Sequence, residues 1–258
     1  MSVPAVLIGL LEDARVLAGV AVREAVSAYR ELGLDPLALL LGPLVVPDYR
    51  LAEVARAAAG DEPLSVCVVN TSGAGGLLGL AGRSWPEIEV VAVESALRDL
   101  DDLGGNAARV VAAAAALDSR EVFVEIPYAF GWQRAVAVVE AGGLQAALRV
   151  DDAGASVASD RLAEQLSALI EADVPFKTTG RGRSPMALLA AVHALVEGAD
   201  TQQAAQLLES DADQVAAEIA TWGETTAARV RRRLRLVACG SVPAALGDLD
   251  AAGLISRA

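Results

Sequence analysis

The sequence is short of the residues from which many sites are built. It has one lysine, Lys177, one histidine, His193, and two cysteines, and aromatics make up 3% of it. With a single histidine, and with Cys67 and Cys239 both inside apolar runs, no His/Cys metal set can be assembled. The cysteines read as small buried hydrophobes with no disulfide between them. No metal site is expected, although one made of carboxylates alone stays open. Trp85, Trp132 and Trp222 are too scattered to form a stacking platform. No apolar run approaches the roughly 18 residues of a membrane span. The N-terminus lacks a basic segment and soon meets Glu12 and Asp13, so it does not read as a signal peptide. A formal net charge of −13 repels phosphate and argues against nucleic acid as a partner. A cytoplasmic protein with neither membrane nor nucleic-acid partner is expected. With 54% hydrophobic residues and so few aromatics, its core must be aliphatic, built from Ala, Val and Leu.

All twenty other basic residues are arginine. Arginine stays protonated, whereas a desolvated lysine can lose its proton and act as a nucleophile or base. Lys177 sits in the stretch from Val174 to Pro185, which reads as a short buried strand, a glycine-rich turn and a helix start. Ser184 is placed as the helix N-cap, with Pro185 at the first helical position.

Elsewhere the chain alternates. Residues 10–33 carry apolar positions at helical spacing, with acids early and Arg30 late. They predict an N-terminal helix, part of an extension over residues 1–40 that precedes a barrel over 41–258. Strands are expected at 44–46, 64–69, 89–93, 121–126, 144–150, 174–178 and 229–238. Helices are expected at 48–59, 102–117, 131–141, 159–172, 184–197, 201–221 (as one long stretch) and 242–252. Continuous apolar strands separated by helices indicate a parallel sheet covered by helices. The fold class is α/β, a TIM-barrel-like single domain with about seven strands, hence incomplete or irregular; an open doubly wound sheet is the alternative.

In either architecture chemistry gathers where the parallel strands end. Asn70, Glu94, Glu125, Arg149 and Lys177 fall there, one from each of five successive strands. The chemical reading makes Lys177 the nucleophile and Glu125 or Glu94 the proton shuttle. Arg149, Arg181 and Arg183, together with the helix start at Ser184, would hold an anionic group. Positive neighbours would also lower the Lys177 pKa. Asn70 and Thr179 join the substrate-binding set, as does Arg235, which would share a strand face with Arg229, Arg231 and Arg233. The structural reading is an ion-pair network holding the barrel mouth. His193, among apolar helix neighbours, reads as a packed, hydrogen-bonded side chain. The stretch from Asn70 to Gly79 approximates the G-x-G-x-x-G fingerprint, but its last glycine falls one place late. It reads better as a lid over the mouth.

Phe176-Lys177-Thr178-Thr179-Gly180 resembles the segment around the Schiff-base lysine of deoxyribose-phosphate aldolases. The resemblance implies an imine-forming Lys177; that family's second lysine has no counterpart here. More broadly, Gly42–Pro47, Val124–Pro127, Ala146–Arg149 and Val174–Lys177 resemble uncharacterised actinobacterial barrel-like proteins, in which a lysine stands at the position of Ala147. Together the residues lead to an expected lyase or aldolase-type enzyme acting on a small anionic carbonyl compound without a cofactor. Two alternatives stand beside it: lysine-assisted enolate or cyclisation chemistry, and a degenerate barrel that binds a metabolite or partner without turnover. The alanine-rich helix faces suit a homo-oligomer.

Overall fold

A computed structural model describes residues 3–117, 120–152, 155–180 and 182–256. Eight parallel strands close into a barrel: β1 (Leu11–Asp13), β2 (Leu41–Pro47), β3 (Leu64–Asn70), β4 (Ile88–Ala96), β5 (Glu121–Glu125), β6 (Gln145–Arg149), β7 (Phe176–Thr179) and β8 (Leu234–Cys239). Each pairs in parallel with the next, and β1 closes the ring by pairing with both β8 and β2. The TIM-barrel-like reading holds, with one strand more than the sequence suggested.

That strand is β1, and it corrects the expected N-terminal extension. Residues 1–40 supply a barrel stave, and helix α1 (Val22–Gly33) begins only after it. A three-residue strand is too short to establish its own periodicity, and its apolar residues merged with the helical spacing downstream. The separation is made by Gly19, whose φ of +95° admits few other residues and turns the chain before the helix.

Helices α2 (Leu51–Ala58), α3 (Gly73–Ala81), α4 (Leu103–Ala114), α5 (Trp132–Ala141) and α6 (Ser159–Glu171) follow successive strands. A short antiparallel ribbon, Asp151–Asp152 against Ala155–Ser156, lies between β6 and α6. The regular alternation then gives way to α7 (Pro185–Val196), α8 (Thr201–Leu208), α9 (Ala212–Ile219) and α10 (Glu224–Arg233) before β8, and α11 (Val242–Ala251) comes last. The reason lies in α7, which is apolar around nearly its whole circumference and buries most of its residues. A helix apolar on every side needs cover beyond the sheet, and α8, α9 and α10 supply it.

Two further expectations change here. Residues 201–221 form two helices, not one; Asp200 starts the first with a capping box to Gln203, and the chain breaks before Asp211. The arginine-rich run from Arg229 to Arg233 ends helix α10 and does not begin the last strand. Cations in a final helical turn face the carbonyl end of the helix dipole, where they are favoured. Arg231 donates to the carbonyls of Leu234, Ile8 and Gly9, tying α10 to the chain start; burial lowers its pKa to about 10. No helix among the described residues is long and apolar enough to cross a membrane.

The core has two layers. A large aliphatic layer lies between staves and helices. Inside the barrel sit Ala14, Val45, Cys67, Ala92, Phe123, Ala147 and Ala238. All but Phe123 are small, and the space they leave is taken by Phe123 and by a group of charged side chains.

Candidate functional site

Lys177 is in the middle of β7, opposite Ala147 of β6. Its side chain has no exposed surface and points into the barrel. Nζ lies 2.8 Å from Glu12 Oε2 and 2.8 Å from Glu94 Oε2. It is also 3.4 Å from Cys67 Sγ and 5.3 Å from the centre of the Phe123 ring. Four strands besides its own therefore supply the surroundings of this amine: β1, β3, β4 and β5. Glu12 and Glu94 are themselves sealed, at 0% and 1% exposure. Of the expected catalytic residues, the barrel brings Lys177 and Glu94 together.

The electrostatics correct the expectation of a lowered lysine pKa. Burial taken alone would lower it, because a desolvated ammonium is unfavourable. The surrounding acidic groups, Glu12 and Glu94 among them, overcome burial, and the pKa of Lys177 stands well above its ordinary value. Burial also holds the Cys67 thiol well above its usual value, so the thiol is neutral near pH 7 and the carboxyl groups carry the pairing. Glu12 moves upward too: its burial outweighs the pull of Lys177. Both directions follow from one ammonium facing two carboxyl groups in a dry enclosure. Oε1 of Glu12 and both oxygens of Glu94 have no hydrogen-bond partner; Glu94 Oε2 meets the ammonium as an ion pair, and Glu12 Oε2 accepts its hydrogen bond.

Glu125 and Arg149 form a separate pair at the mouth, toward the strand ends. Arg149 Nε and Nη2 reach the two Glu125 oxygens at 2.8 and 3.0 Å, a bidentate arrangement. Arg149 Nη1 is 3.5 Å from Asp151 Oδ1, and its side chain is 47% exposed. The hydrogen bonds that Arg149 donates to Glu125 are the main cause of its raised pKa, and Glu94 adds to it. Thus Glu94 acts on both Lys177 within and Arg149 at the rim. Thr179 is buried at the end of β7.

The other expected binding residues have different roles. Asn70 Nδ2 donates to the Gly73 carbonyl at 2.7 Å and to Ser95 Oγ at 2.9 Å, holding the turn into α3. The glycine-rich stretch expected to be a lid is helix α3. A Cβ added at Gly76 would come within 2.1 Å of Asn70 Oδ1, so this helix needs glycine to lie close to the strand end. Arg183 donates to the carbonyls of Leu208 and Val157 and borders a cleft of about 550 Å3 with Ser184, Cys239, Ser241 and Asp248. Arg235 is at the start of β8, the opposite end of the barrel from the mouth, and pairs with Glu121 at 3.2 Å; it is no rim clamp. Arg181 lies outside the described residues. His193 behaves as expected: Nδ1 is 3.0 Å from Glu218, and the ring packs 4.5 Å from that of Trp222.

The residue missed by sequence reasoning is Glu12, assigned to the start of a helix. The available signal was an acid directly after Leu10 and Leu11 in a run whose strand character is otherwise hidden. Gly180, just beyond β7, sets the path of the lysine loop. Its φ is +95°, and a Cβ there would come within 2.1 Å of Asp151 Oδ1. Gly180→Ala is therefore expected to destabilise by about 1–3 kcal/mol, from backbone strain plus displacement of Asp151 beside Arg149. Denaturant titration measures the loss; a variant as stable as the parent contradicts this tight turn.

A scan against protein-family models finds none that matches the chain, and a search of curated proteins finds no match either. What the site can do has to be argued from its own geometry.

Proposed function

We propose that this protein is an enzyme of carbonyl chemistry, a lyase or isomerase acting on a small anionic carbonyl compound. In this reading the Lys177 ammonium polarises the carbonyl oxygen and stabilises the enolate that forms. The observation carrying it is the enclosure of the sole lysine between Glu12 and Glu94 inside the barrel. Buried ion pairs seldom improve stability over apolar residues of the same size, so a charged centre here needs another reason to exist. In barrels of this kind reactions occur at the end where the strands finish, which is the end of the Glu125–Arg149 pair.

The raised pKa of Lys177 favours an electrostatic role over the resting free amine needed to form an imine directly. Imine formation, as in a class I aldolase, requires a proton to pass first from Lys177 to a neighbouring carboxylate. The substrate's anionic group would take the place of Glu125 on Arg149, carboxylate for carboxylate, which frees Glu125 for proton transfer and opens a path inward. A cytoplasmic homo-oligomer completes this reading.

A second reading, a barrel that binds a metabolite or partner without turnover, is favoured by one observation: Lys177 has no exposed surface, and the cleft beside Arg183 does not reach it.

A panel of aldehydes, ketones and keto acids tests both. Turnover that falls roughly a hundredfold or more in Lys177→Arg, which keeps the charge but displaces it, supports the enzyme. Undiminished turnover in that variant ends the role of Lys177. Trapping with borohydride, read by intact mass, separates imine from electrostatic chemistry. Tight binding with no product from any member favours the second reading.

A further inference from the structure

We propose that Glu12 is the proton-holding partner of Lys177: it stands in the resting enclosure as a neutral carboxylic acid and hands its proton to the Lys177 amine once that amine has given one away. This rests on the reading of Lys177 as the group that meets the carbonyl, and its foundation is a count of charges. The enclosure holds one ammonium and two carboxyl groups, with side chains exposed by 1% or less. A surplus charge in such a place is costly, and an ionisable group there takes up a proton instead.

The surroundings decide which group does so. Glu94 has two cations within its influence, Lys177 at 2.8 Å and Arg149 at the mouth. Glu12 has Lys177 alone. The other groups facing Glu12 are Cys67 on β3, Glu94 on β4, Cys239 on β8 and Tyr29 on α1, and none brings a positive charge. Its chain neighbour Asp13 is occupied with Arg15 at 2.8 Å. The burial that raises Glu12 agrees with this placement. Oε2 of Glu12 accepts from the ammonium, so the proton belongs on Oε1, the oxygen with no partner.

The transfer balances. The ammonium N–H bond breaks as the proton passes to the substrate oxygen, leaving a neutral amine. The Glu12 carboxyl then turns to bring Oε1 to the amine, which takes its proton, restoring the ammonium beside a new carboxylate. A proton from solvent resets Glu12 when product leaves. Glu12 acts through Lys177 and is a positioning residue.

Carboxyl-carbon NMR of glutamate-labelled protein at pH 7 tests the proposal, with Glu94 assigned from Glu94→Gln. One side-chain carboxyl resonance is expected at the neutral-acid position. It should be lost in Glu12→Gln while the Glu94 resonance does not move. Three results overturn the proposal: no neutral-acid resonance in the unmodified protein, survival of that resonance in Glu12→Gln, or a shift of the Glu94 resonance from acid to carboxylate position when Glu12 is changed. Should Glu12→Gln fail to fold, the infrared band of a protonated carboxyl in the unmodified protein serves instead, and its absence is enough to sink the idea. Neither measurement needs a substrate. Undiminished turnover in Lys177→Arg would end the catalytic reading without touching the Glu12 signal, and a missing signal would leave the catalytic reading standing.

Discussion

Replacing Lys177 with methionine is expected to destabilise the barrel by about 3–5 kcal/mol at neutral pH, the size found when one partner of a buried ion pair is removed. For a chain of this length that corresponds to a fall in Tm of roughly 10 °C. Methionine fills much the same space, so the loss arises from charge: Glu12 and Glu94 would face each other with no cation in a dry enclosure. The pH dependence follows. Glu12 already has a folded pKa above its ordinary value of 4.5, and without the ammonium it moves further up. A raised carboxyl group favours the folded state below its unfolded pKa, and that advantage disappears as pH rises through the folded value. The deficit of Lys177→Met should therefore be small in acid and grow toward neutrality. In the unmodified protein the raised pKa of Lys177 works at the other end of the scale. Its contribution is complete below the ordinary lysine value of 10.5 and is lost as alkaline pH passes its folded value. Denaturant titrations across pH check both trends. Changing all three residues to apolar ones, Lys177→Met with Glu12→Leu and Glu94→Leu, should recover the loss and could exceed the parent by about 1–4 kcal/mol. If the triple variant stays as weak as the single one, disturbed packing caused the loss and the electrostatic account is wrong.

Phe123→Ala is the second large effect. The other residues of the inner layer are Ala14, Val45, Cys67, Ala92, Ala147 and Ala238, none of which can expand into the space vacated. A loss of about 3–5 kcal/mol is expected, the usual range for truncating a buried phenylalanine. The new cavity would border Lys177 and its carboxyl partners, and a polar cavity fills with water. Cys67, fully buried and held above its normal pKa, should then become open to alkylation in the native protein. Cys239, raised by burial to about 12, supplies an internal comparison because Phe123 is not beside it. Peptide mapping after brief labelling reads both thiols. Equal labelling of Cys67 in parent and variant would mean that Phe123 does not seal the enclosure.

Several elements were legible before any coordinates. The strands expected at 64–69 and 121–126 are mostly apolar runs with turn residues behind them, and they form within one residue of those bounds, at Leu64–Asn70 and Glu121–Glu125. The Ser184-Pro185 start of α7 follows from capping chemistry. Lys177 stood out as the sole lysine, set near a strand end before a glycine-rich turn, and the barrel encloses it between Glu12 and Glu94. Other elements were hidden for identifiable reasons. The three residues of β1 are fewer than one period of the pattern that surrounds them. The arginines of α10 mimic a strand because alternation over so few residues fits two periods. The partner of Lys177 is 165 residues away in the chain, a separation at which no spacing rule operates.

Local pattern and composition, then, determined an aliphatic α/β chain of parallel strands and helices with a single lysine amine, since burial preference and capping act over a few neighbouring residues. Tertiary structure decided what surrounds that amine. Closure of the ring through β1 carried Glu12 across to β7, and depth within the barrel separated the Glu12–Lys177–Glu94 group from Glu125 and Arg149 at the mouth. Proton affinity depends on distance and dielectric between groups far apart in sequence, and those quantities come into being only when the barrel closes.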